Sequence, residues 1–248
     1  MTIVYEERAS DSPYLETVTH GHTTSDGSTI RPAAYQWHMV VVKYQGKVQL
    51  VVTGPLTTSG TVSWTEGAEV TWIKFRLGVF MPHLPTKTLL DKETILPGAA
   101  KKSFWLKGTS WQFPNHENVE FFVNRLMRDE VLVCDPLVTS VLQGQPSDMA
   151  PRTIRHRFLR TTGLTQNHIH QIERAQQAAR LLEQGFSILD TVYEIGYFDQ
   201  PHLTRSLKRW VGHTPAEIIR MRAPQACHFV QDAGAGVEYD TSIPERVR

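Results

Sequence analysis

The first half of the chain carries short apolar runs of the length of β-strands. Residues 35–44 and 47–53 are rich in valine, and the dipeptide Gln45-Gly46 between them is typical of a hairpin turn. Residues 69–77 place two different sets of side chains on opposite faces, as the period of a strand requires. We therefore predict a β-rich first half, folded as a sandwich or barrel.

The second half shows the period of helices instead. In the segments that follow Asn115, Pro136 and Pro151, apolar residues recur at spacings of three and four positions. The longest such pattern covers residues 165–184 and is followed by Gly185, a residue that commonly ends helices. The second half is therefore predicted to be all-α, with short connections between its helices.

Residues 187–215 combine the signals of two short helices joined by a turn. Ser187 can cap the first helix, and Gly196 permits the left-handed turn that a helix-turn-helix needs. Asp199 can cap the second helix, whose outward face would fit a DNA major groove. The polar side chains on that outward face are Gln200, His202, Thr204, Arg205, Lys208 and Arg209. An ordinary solvated surface helix would carry a similar polar face.

Another unit of this kind lies earlier in the chain. It is called the first unit below, and the unit at residues 187–215 is called the second. The second helix of the first unit is predicted at residues 150–161, with Ile154 and Phe158 facing inward and no acidic residue. The outward basic side chains of that helix are Arg152, Arg155, His156 and Arg160, with Arg157 beside them. Arginines that lack acidic neighbours indicate an anionic partner. The repetition of the unit favours DNA binding over two ordinary surface helices.

At these residues the chain resembles the AraC/XylS family of transcriptional regulators, over residues 115–222. The family pattern of the second unit stands here as Gly196-Tyr197, Asp199-Gln200, His202, Arg205, Lys208-Arg209 and Gly212-His213-Thr214-Pro215. The matching anchors of the first unit are Ile154, Phe158, Gly163-Leu164-Thr165, Ala175 and Leu181-Leu182. The resemblance implies two helix-turn-helix units, joined by one long helix, in adjacent major grooves on one face of DNA.

The resemblance also assigns roles to the outward side chains. The positions that would read bases are Arg152, Arg155, His156, Gln200, Thr204 and Arg205. Arginine forks onto guanine and glutamine pairs with adenine. Arg160, Lys208 and Arg209 are expected to contact phosphates and to set position rather than sequence. Arg205 has an alternative role, since it could brace its own domain through Asp199 or Glu194.

Four positions depart from the family pattern. Ala150 stands where a capping serine is usual, and His156 stands where arginine is usual. Pro201 removes one polar contact, and Val211 replaces the usual phenylalanine. These departures leave the double helix-turn-helix assignment intact, but the operator sequence cannot be derived from them.

The predicted fold class is multidomain α+β. Residues 1–113 are predicted to be a β-rich sensor or dimerisation domain, and residues 114–222 an AraC-type double helix-turn-helix domain. Residues 223–248 lack a period and are expected to be a disordered tail. Besides double-stranded DNA, the resemblance allows a small-molecule effector, RNA polymerase and a second copy of the chain as partners.

The net charge is informative only when it is divided by region. The whole chain has 26 Lys and Arg against 25 Asp and Glu, a formal charge of +1. Residues 148–222, however, hold 11 basic and 7 acidic side chains. The basic excess therefore coincides with the helix-turn-helix pattern. Because that excess is modest, affinity for DNA should depend on the placement of the arginines as well as on bulk charge.

Composition sets the remaining bounds. With 248 residues, 40% hydrophobic and 21% charged, the chain can bury a sizeable core. No signal-peptide pattern follows Met1, and no apolar run reaches the length of a membrane helix. Cys134 and Cys227 stand far apart, so no disulfide is predicted. We expect a cytoplasmic protein without a membrane partner.

The competing prediction is a cupin-like metal-dependent enzyme with an accessory helical domain. Its candidate ligands are His20, His22 and His38. However, His20 and His22 flank a glycine in a polar stretch, where loop histidines are common, and no further ligand follows at a fitting spacing. No catalytic residue, metal ligand or cofactor is therefore assigned, and we expect the chain not to be an enzyme.

Overall fold

The computed structural model describes residues 3–146 and 148–222. Antiparallel strands build the first half of these residues and helices build the second. The predicted combination of a β-rich half and a helical half is confirmed. The tail predicted to be disordered, residues 223–248, lies outside the described residues.

The strands form one large sheet and several small ones. The strands are β1 (Ile3–Ala9), β2 (Leu15–Thr23), β3 (Gly27–Arg31), β4 (His38–Tyr44), β5 (Lys47–Thr53), β6 (Gly60–Trp64), β7 (Glu69–Phe75), β8 (Val79–Phe80), β9 (Glu93–Ile95), β10 (Gly98–Ala100), β11 (Ser103–Leu106), β12 (Thr109–Gln112) and β13 (Val133–Cys134). The main sheet has the order β1-β2-β7-β4-β5-β9. β3 pairs with β6 in a separate ribbon, β10, β11 and β12 form a small sheet, and β8 pairs with β13. All but β13 lie in the first half; β13 lies within residues 114–222, which were predicted to be all-α, so that prediction was wrong for this two-residue strand.

The hairpin between β4 and β5 turns at Gln45 and Gly46, as predicted. Both residues have a positive φ, 48° and 76°, which the commonest two-residue hairpin turn requires. In β7 the predicted alternation is also present, and both faces of the strand are covered. Ile73 belongs to the core on one face, and Trp72 packs with Val40 on the other.

The first core lies on the Ile73 face of the main sheet. The 3-10 helix Thr86–Leu89 and helix α1 (Val119–Arg128) both contribute to it. Phe122 of α1 meets Phe104 and Trp111 edge-on, with ring centroids 6.2 and 6.3 Å apart. The apolar face of α1 therefore packs against the β-rich half, although the sequence prediction placed this helix in the helical domain. The domain division at residue 113 stays a prediction.

The remaining helices follow in quick succession. They are α2 (Leu137–Leu142), α3 (Pro151–Thr162), α4 (Gln166–Gln184), α5 (Ile188–Ile195), α6 (Gln200–Trp210) and α7 (Pro215–Met221). The Thr165 side chain caps α4, and Gly185 ends it in the left-handed conformation, which confirms the helix predicted at 165–184. Among the described residues, no helix is long and apolar enough to cross a membrane.

The second core is built around α4. Ile169 and Ile172 of α4 are fully buried against Leu203 and Leu207 of α6. Ala33, from the β-rich half, belongs to the same cluster and is also fully buried. The two halves of the chain therefore share this core.

Candidate DNA interface

The first helix-turn-helix unit consists of α2, a polar connection and α3. Phe158 anchors α3 in the second core, whereas Ile154, predicted to face inward, is only half-buried. The predicted DNA-contacting side chains Arg152, Arg155, His156 and Arg160 are all exposed. None of these four makes a hydrogen bond or an ion pair with another residue in the described part of the chain.

Arg157 differs from its neighbours on α3. Its guanidinium donates two hydrogen bonds to the Asp135 carboxylate, from Nε to Oδ2 at 3.1 Å and from the terminal nitrogen to Oδ1 at 2.7 Å. Asp135 also accepts from the backbone amide of Leu137 at the start of α2. The arginines of α3 were all treated as unpaired in the sequence, and this was wrong for Arg157. Arg157 links α3 to the start of α2, because Asp135 lies beside it in the fold although the two are 22 positions apart in the sequence.

The second unit has the local structure that its sequence predicts. The Ser187 hydroxyl accepts from the amide of Asp190 at 3.1 Å, so α5 begins with the predicted cap. Gly196 ends α5 with a φ of 72°. The Asp199 carboxylate accepts from the amide of His202 at 2.7 Å and caps α6. These three predictions are confirmed.

Two contacts that the sequence analysis missed hold the turn of the second unit. The Arg174 guanidinium on α4 donates to the carbonyl of Gly196 at 2.6 Å and stacks over the Tyr197 ring at 4.0 Å. The Tyr197 hydroxyl lies 2.7 Å from the Ser206 hydroxyl, and burial raises the pKa of this tyrosine. Nothing in the sequence signals the role of Arg174, because the hydrogen-bond partner of its guanidinium is a backbone carbonyl.

The base-reading candidates of α6 and the neighbouring candidate contact His202 have different surroundings. Gln200 and Arg205 are exposed. Among the described residues, Arg205 forms no ion pair with Asp199 or Glu194, the partners of its alternative bracing role. The Thr204 hydroxyl donates to the backbone carbonyl of Gln200 at 2.9 Å, which leaves its oxygen available as an acceptor. The His202 ring packs edge-on against Tyr197, with centroids 5.1 Å apart, and is half-buried. Of these residues, His202 has the strongest packing role.

The two cations at the end of α6 already have contacts within the chain. Lys208 Nζ lies 3.6 Å from Oε2 of Glu217, and both side chains are exposed. Glu217 belongs to the capping box of α7, and its hydrogen bonds with Thr214 lower its pKa. The Arg209 guanidinium lies 4.4 Å from the centre of the Trp210 ring. Both cations remain accessible, but Lys208 is partly neutralised by its neighbour.

The histidines of the metal hypothesis do not converge. His20 and His22 lie in strand β2, not in a loop as expected. The strand register places His20 and His38 on opposite faces of the main sheet. Burial, together with Lys74 and Arg31, lowers the pKa of His38 to about 3. Within residues 3–146 and 148–222, no three His, Cys, Asp or Glu side chains are grouped to hold a metal ion.

The comparisons with known proteins concern mainly the second half. Residues 147–221 match the family model described as a helix-turn-helix domain. Over 71 residues the chain is 41% identical to the "HTH-type transcriptional regulator VirS" of Mycobacterium tuberculosis, in strains CDC 1551 / Oshkosh and ATCC 25618 / H37Rv. The match covers 28% of this chain and 21% of each relative, so the chain corresponds to about a fifth of the length of these curated relatives.

Two solved structures of ToxT from Vibrio cholerae are also similar. The 1.65 Å structure is 10% identical, covers 89% of this chain and 99% of that chain, and has a TM-score of 0.37. ToxT bound to (E)-4-(8-methylnaphthalen-1-yl)but-3-enoic acid is 10% identical, with coverages of 90% and 100% and a TM-score of 0.37. Similarities at this TM-score carry no argument about the present chain.

Proposed function

We propose, from the premise that residues 147–221 form an AraC-type helix-turn-helix domain, that this chain is a sequence-specific DNA-binding transcriptional regulator. In the proposal, α3 and α6 enter successive major grooves on one face of DNA, about 34 Å apart. The observation that carries the proposal is the exposed basic face of α3. The second recognition helix, α6, is capped at its start and also presents an exposed polar face.

The proposed base readers are Arg152, Arg155, His156, Gln200, Thr204 and Arg205. The exposure of Arg155 and Arg205 supports this role, because a guanidinium without an internal partner can fork onto a guanine edge. Arg160 and Arg209 are proposed as phosphate contacts. Lys208 is proposed as a weaker phosphate contact, since Glu217 lies beside it. The packing of His202 on Tyr197 makes it a positioning side chain as well as a candidate donor.

The other partners belong to the same proposal. The β-rich half is proposed to bind a small-molecule effector or to form a homodimer interface, and RNA polymerase is proposed as a partner at the promoter. These assignments rest on the family resemblance, as does a cytoplasmic location. We propose no enzymatic activity. The position of His20 and His38 on opposite sheet faces argues only against the shared metal site of the competing prediction.

In vitro selection with the full chain tests the proposal. Double-stranded DNA with a randomised segment is enriched on the protein, and the affinity for the selected site is then measured against salt concentration. We expect one site with two conserved segments about one helical turn apart. With the three proposed phosphate contacts, the slope of log affinity against log salt should be about −3 or steeper. A flat salt dependence, or selection that enriches no sequence, would overturn the proposal.

A further inference from the structure

The carboxyl end of the second recognition helix is bonded by the β-rich half. The last carbonyls of a helix lack partners within the helix. In α6 the amides of Val211 and Gly212 both donate to the carbonyl of Leu207, which lies just before the last three carbonyls of the helix. Ser59 donates from its amide to the carbonyl of Arg209 at 2.9 Å.

Two more donors from the β-rich half, the Ser59 hydroxyl and the Ala33 amide, reach the same helix end. The Ser59 hydroxyl lies 3.2 Å from the carbonyl oxygen of Lys208 and 3.1 Å from that of Arg209. The amide of Ala33 donates to the carbonyl of Trp210 at 2.7 Å. The last three carbonyls of α6 are thus all occupied by donors from Ser59 and Ala33. Gln176 of α4 in turn donates to the carbonyl of Ala33 at 3.0 Å.

The first recognition helix is held at the same end. The Thr86 hydroxyl, in the 3-10 helix of the β-rich half, donates to the carbonyl of Thr161 at 2.9 Å. Thr86 and Thr161 are both buried, with 3% and 2% of their surfaces exposed, so water does not compete for this bond. The carboxyl ends of α3 and α6 therefore both receive hydrogen bonds from the β-rich half.

Two glycines allow this close approach. A Cβ at Gly163, just after α3, would lie 3.1 Å from the backbone of Thr86 and Lys87. A Cβ at Gly212, just after α6, would overlap the Ile30 side chain. Both glycines also have a positive φ, 74° and 90°, so other residues would be strained there.

We infer that the β-rich half is a frame that sets the relative position of the two recognition helices. Thr86 and Ser59 are positioning residues in this frame. The inference rests on the proposed function, because two helices need a set position only if they read one DNA duplex together. Since successive grooves lie at a fixed separation, helices held at that separation before binding lose less conformational entropy on DNA.

The test compares full-length variants on two DNA duplexes. Thr86→Val keeps the side-chain shape and removes the donor to α3, and Ser59→Ala removes the hydroxyl bonded to α6. Thr88→Val is the control for the first, because the Thr88 hydroxyl donates to the carbonyl of Pro85, just before the same 3-10 helix, and not to α3. Thr58→Ala is the control for the second, since Thr58 is exposed and adjacent to Ser59. One duplex holds both selected segments, and the other holds one segment with the second randomised.

We expect the Thr86→Val, Ser59→Ala double variant to bind the two-segment duplex at least about fivefold more weakly, because each of the two lost hydrogen bonds should contribute a factor of about two or more. Binding to the one-segment duplex should change less than about twofold, and the control variants should match the original chain on both duplexes. Equal weakening on both duplexes would indicate a general loss of stability and would overturn the inference. Unchanged binding would overturn it, and tighter binding would replace the frame with an autoinhibitory latch.

Hydrogen exchange of the DNA-free chain separates this inference from the proposed function. If the frame exists, the double variant should exchange faster at the amides of residues 160–163 and 208–212, and the controls should not. That result would support the frame even if the chain selected no DNA sequence, which would defeat the proposed function alone. Unchanged exchange at both helix ends would contradict the frame, whatever the DNA binding shows.

Discussion

The two helix-turn-helix units share an outline but are stabilised in different ways. In the second unit, side chains of Ser187 and Asp199 cap both helices. In the first unit, α3 begins at Pro151, and its N-cap residue Ala150 provides no side-chain cap. The first unit depends instead on the ion pair of Arg157 with Asp135, which joins its two helices. Local sequence therefore defines the second unit, and a tertiary contact completes the first.

The units also differ in how their charges are disposed. The cations on the outward face of α3 have no internal partner among the described residues. In α6, Lys208 approaches Glu217 and Arg209 stacks on Trp210. We infer that the first unit supplies more of the electrostatic attraction to DNA. In the second unit, more of the polar side chains are held by contacts within the chain. The four predictions that follow test this division.

The largest effect is expected at Arg157. Arg157→Ala should lower the free energy of unfolding by about 2–3 kcal/mol, because it leaves the nearly buried Asp135 carboxylate without its charged partner. Urea denaturation of the purified chain measures this loss. Arg155→Ala, which removes an exposed arginine of the same helix, is the matched control and should change stability by less than about 0.5 kcal/mol. Equal losses for both variants would show that the ion pair does not support the first unit.

The next effect concerns reading by α3. Arg155→Ala should cost about 2 kcal/mol on the selected site and relax the preference at one base position. Binding to a panel of single-base variants of the site gives both quantities. Arg160→Ala, a proposed phosphate contact, should weaken binding to every member of the panel by a similar factor. If Arg155→Ala behaved in that uniform way, Arg155 would be a phosphate contact instead.

Removing the cap of α6 and adding a cap to α3 should change the stability of the chain in opposite directions. Asp199→Ala removes the cap of α6 and should destabilise the chain by about 1 kcal/mol. Ala150→Ser adds a capping hydroxyl to α3 and should stabilise the chain by about 0.5–1 kcal/mol. Thermal unfolding monitored by circular dichroism measures both changes. A destabilising Ala150→Ser would mean that the start of α3 does not have the geometry of a free cap.

The smallest expected effect is a difference in salt dependence between Arg160, which has no internal partner among the described residues, and Lys208, which lies beside Glu217. Arg160→Gln should reduce the slope of log affinity against log salt by about 0.9, the value of one phosphate contact. Lys208→Gln should reduce it by less, because Glu217 already neutralises part of the Lys208 charge. Salt titrations of both variants on one duplex give the comparison. Equal reductions would remove the proposed difference in charge between the units.

Features encoded over a few residues were predictable from the sequence. The Gln45-Gly46 turn, the caps at Ser187 and Asp199 and the end of α4 at Gly185 all depend on local backbone and side-chain chemistry. The boundaries of α3 and α4 followed for the same reason. The exposure of the predicted base readers could be expected from helical period, although their contacts with DNA stay predictions.

Features that depend on the tertiary fold were not predictable in this way. Helix α1 has an ordinary amphipathic pattern, and no local feature shows that its apolar face meets Phe104 in the sheet core. The partner of Arg157 lies in the preceding segment, so the helix alone suggested an unpaired cation. The bonds of Ser59 and Ala33 to α6 come largely from backbone amides, which every residue has and which leave no mark in a sequence.

Both recognition helices of one chain are proposed to contact the same face of one DNA duplex. Hydroxyl-radical footprinting of the full chain on its selected site tests this most directly. We expect two protected segments on one face, with centres about 10.5 base pairs apart, and loss of one segment when the arginines of α3 are replaced. A single protected segment that survives those replacements would contradict it.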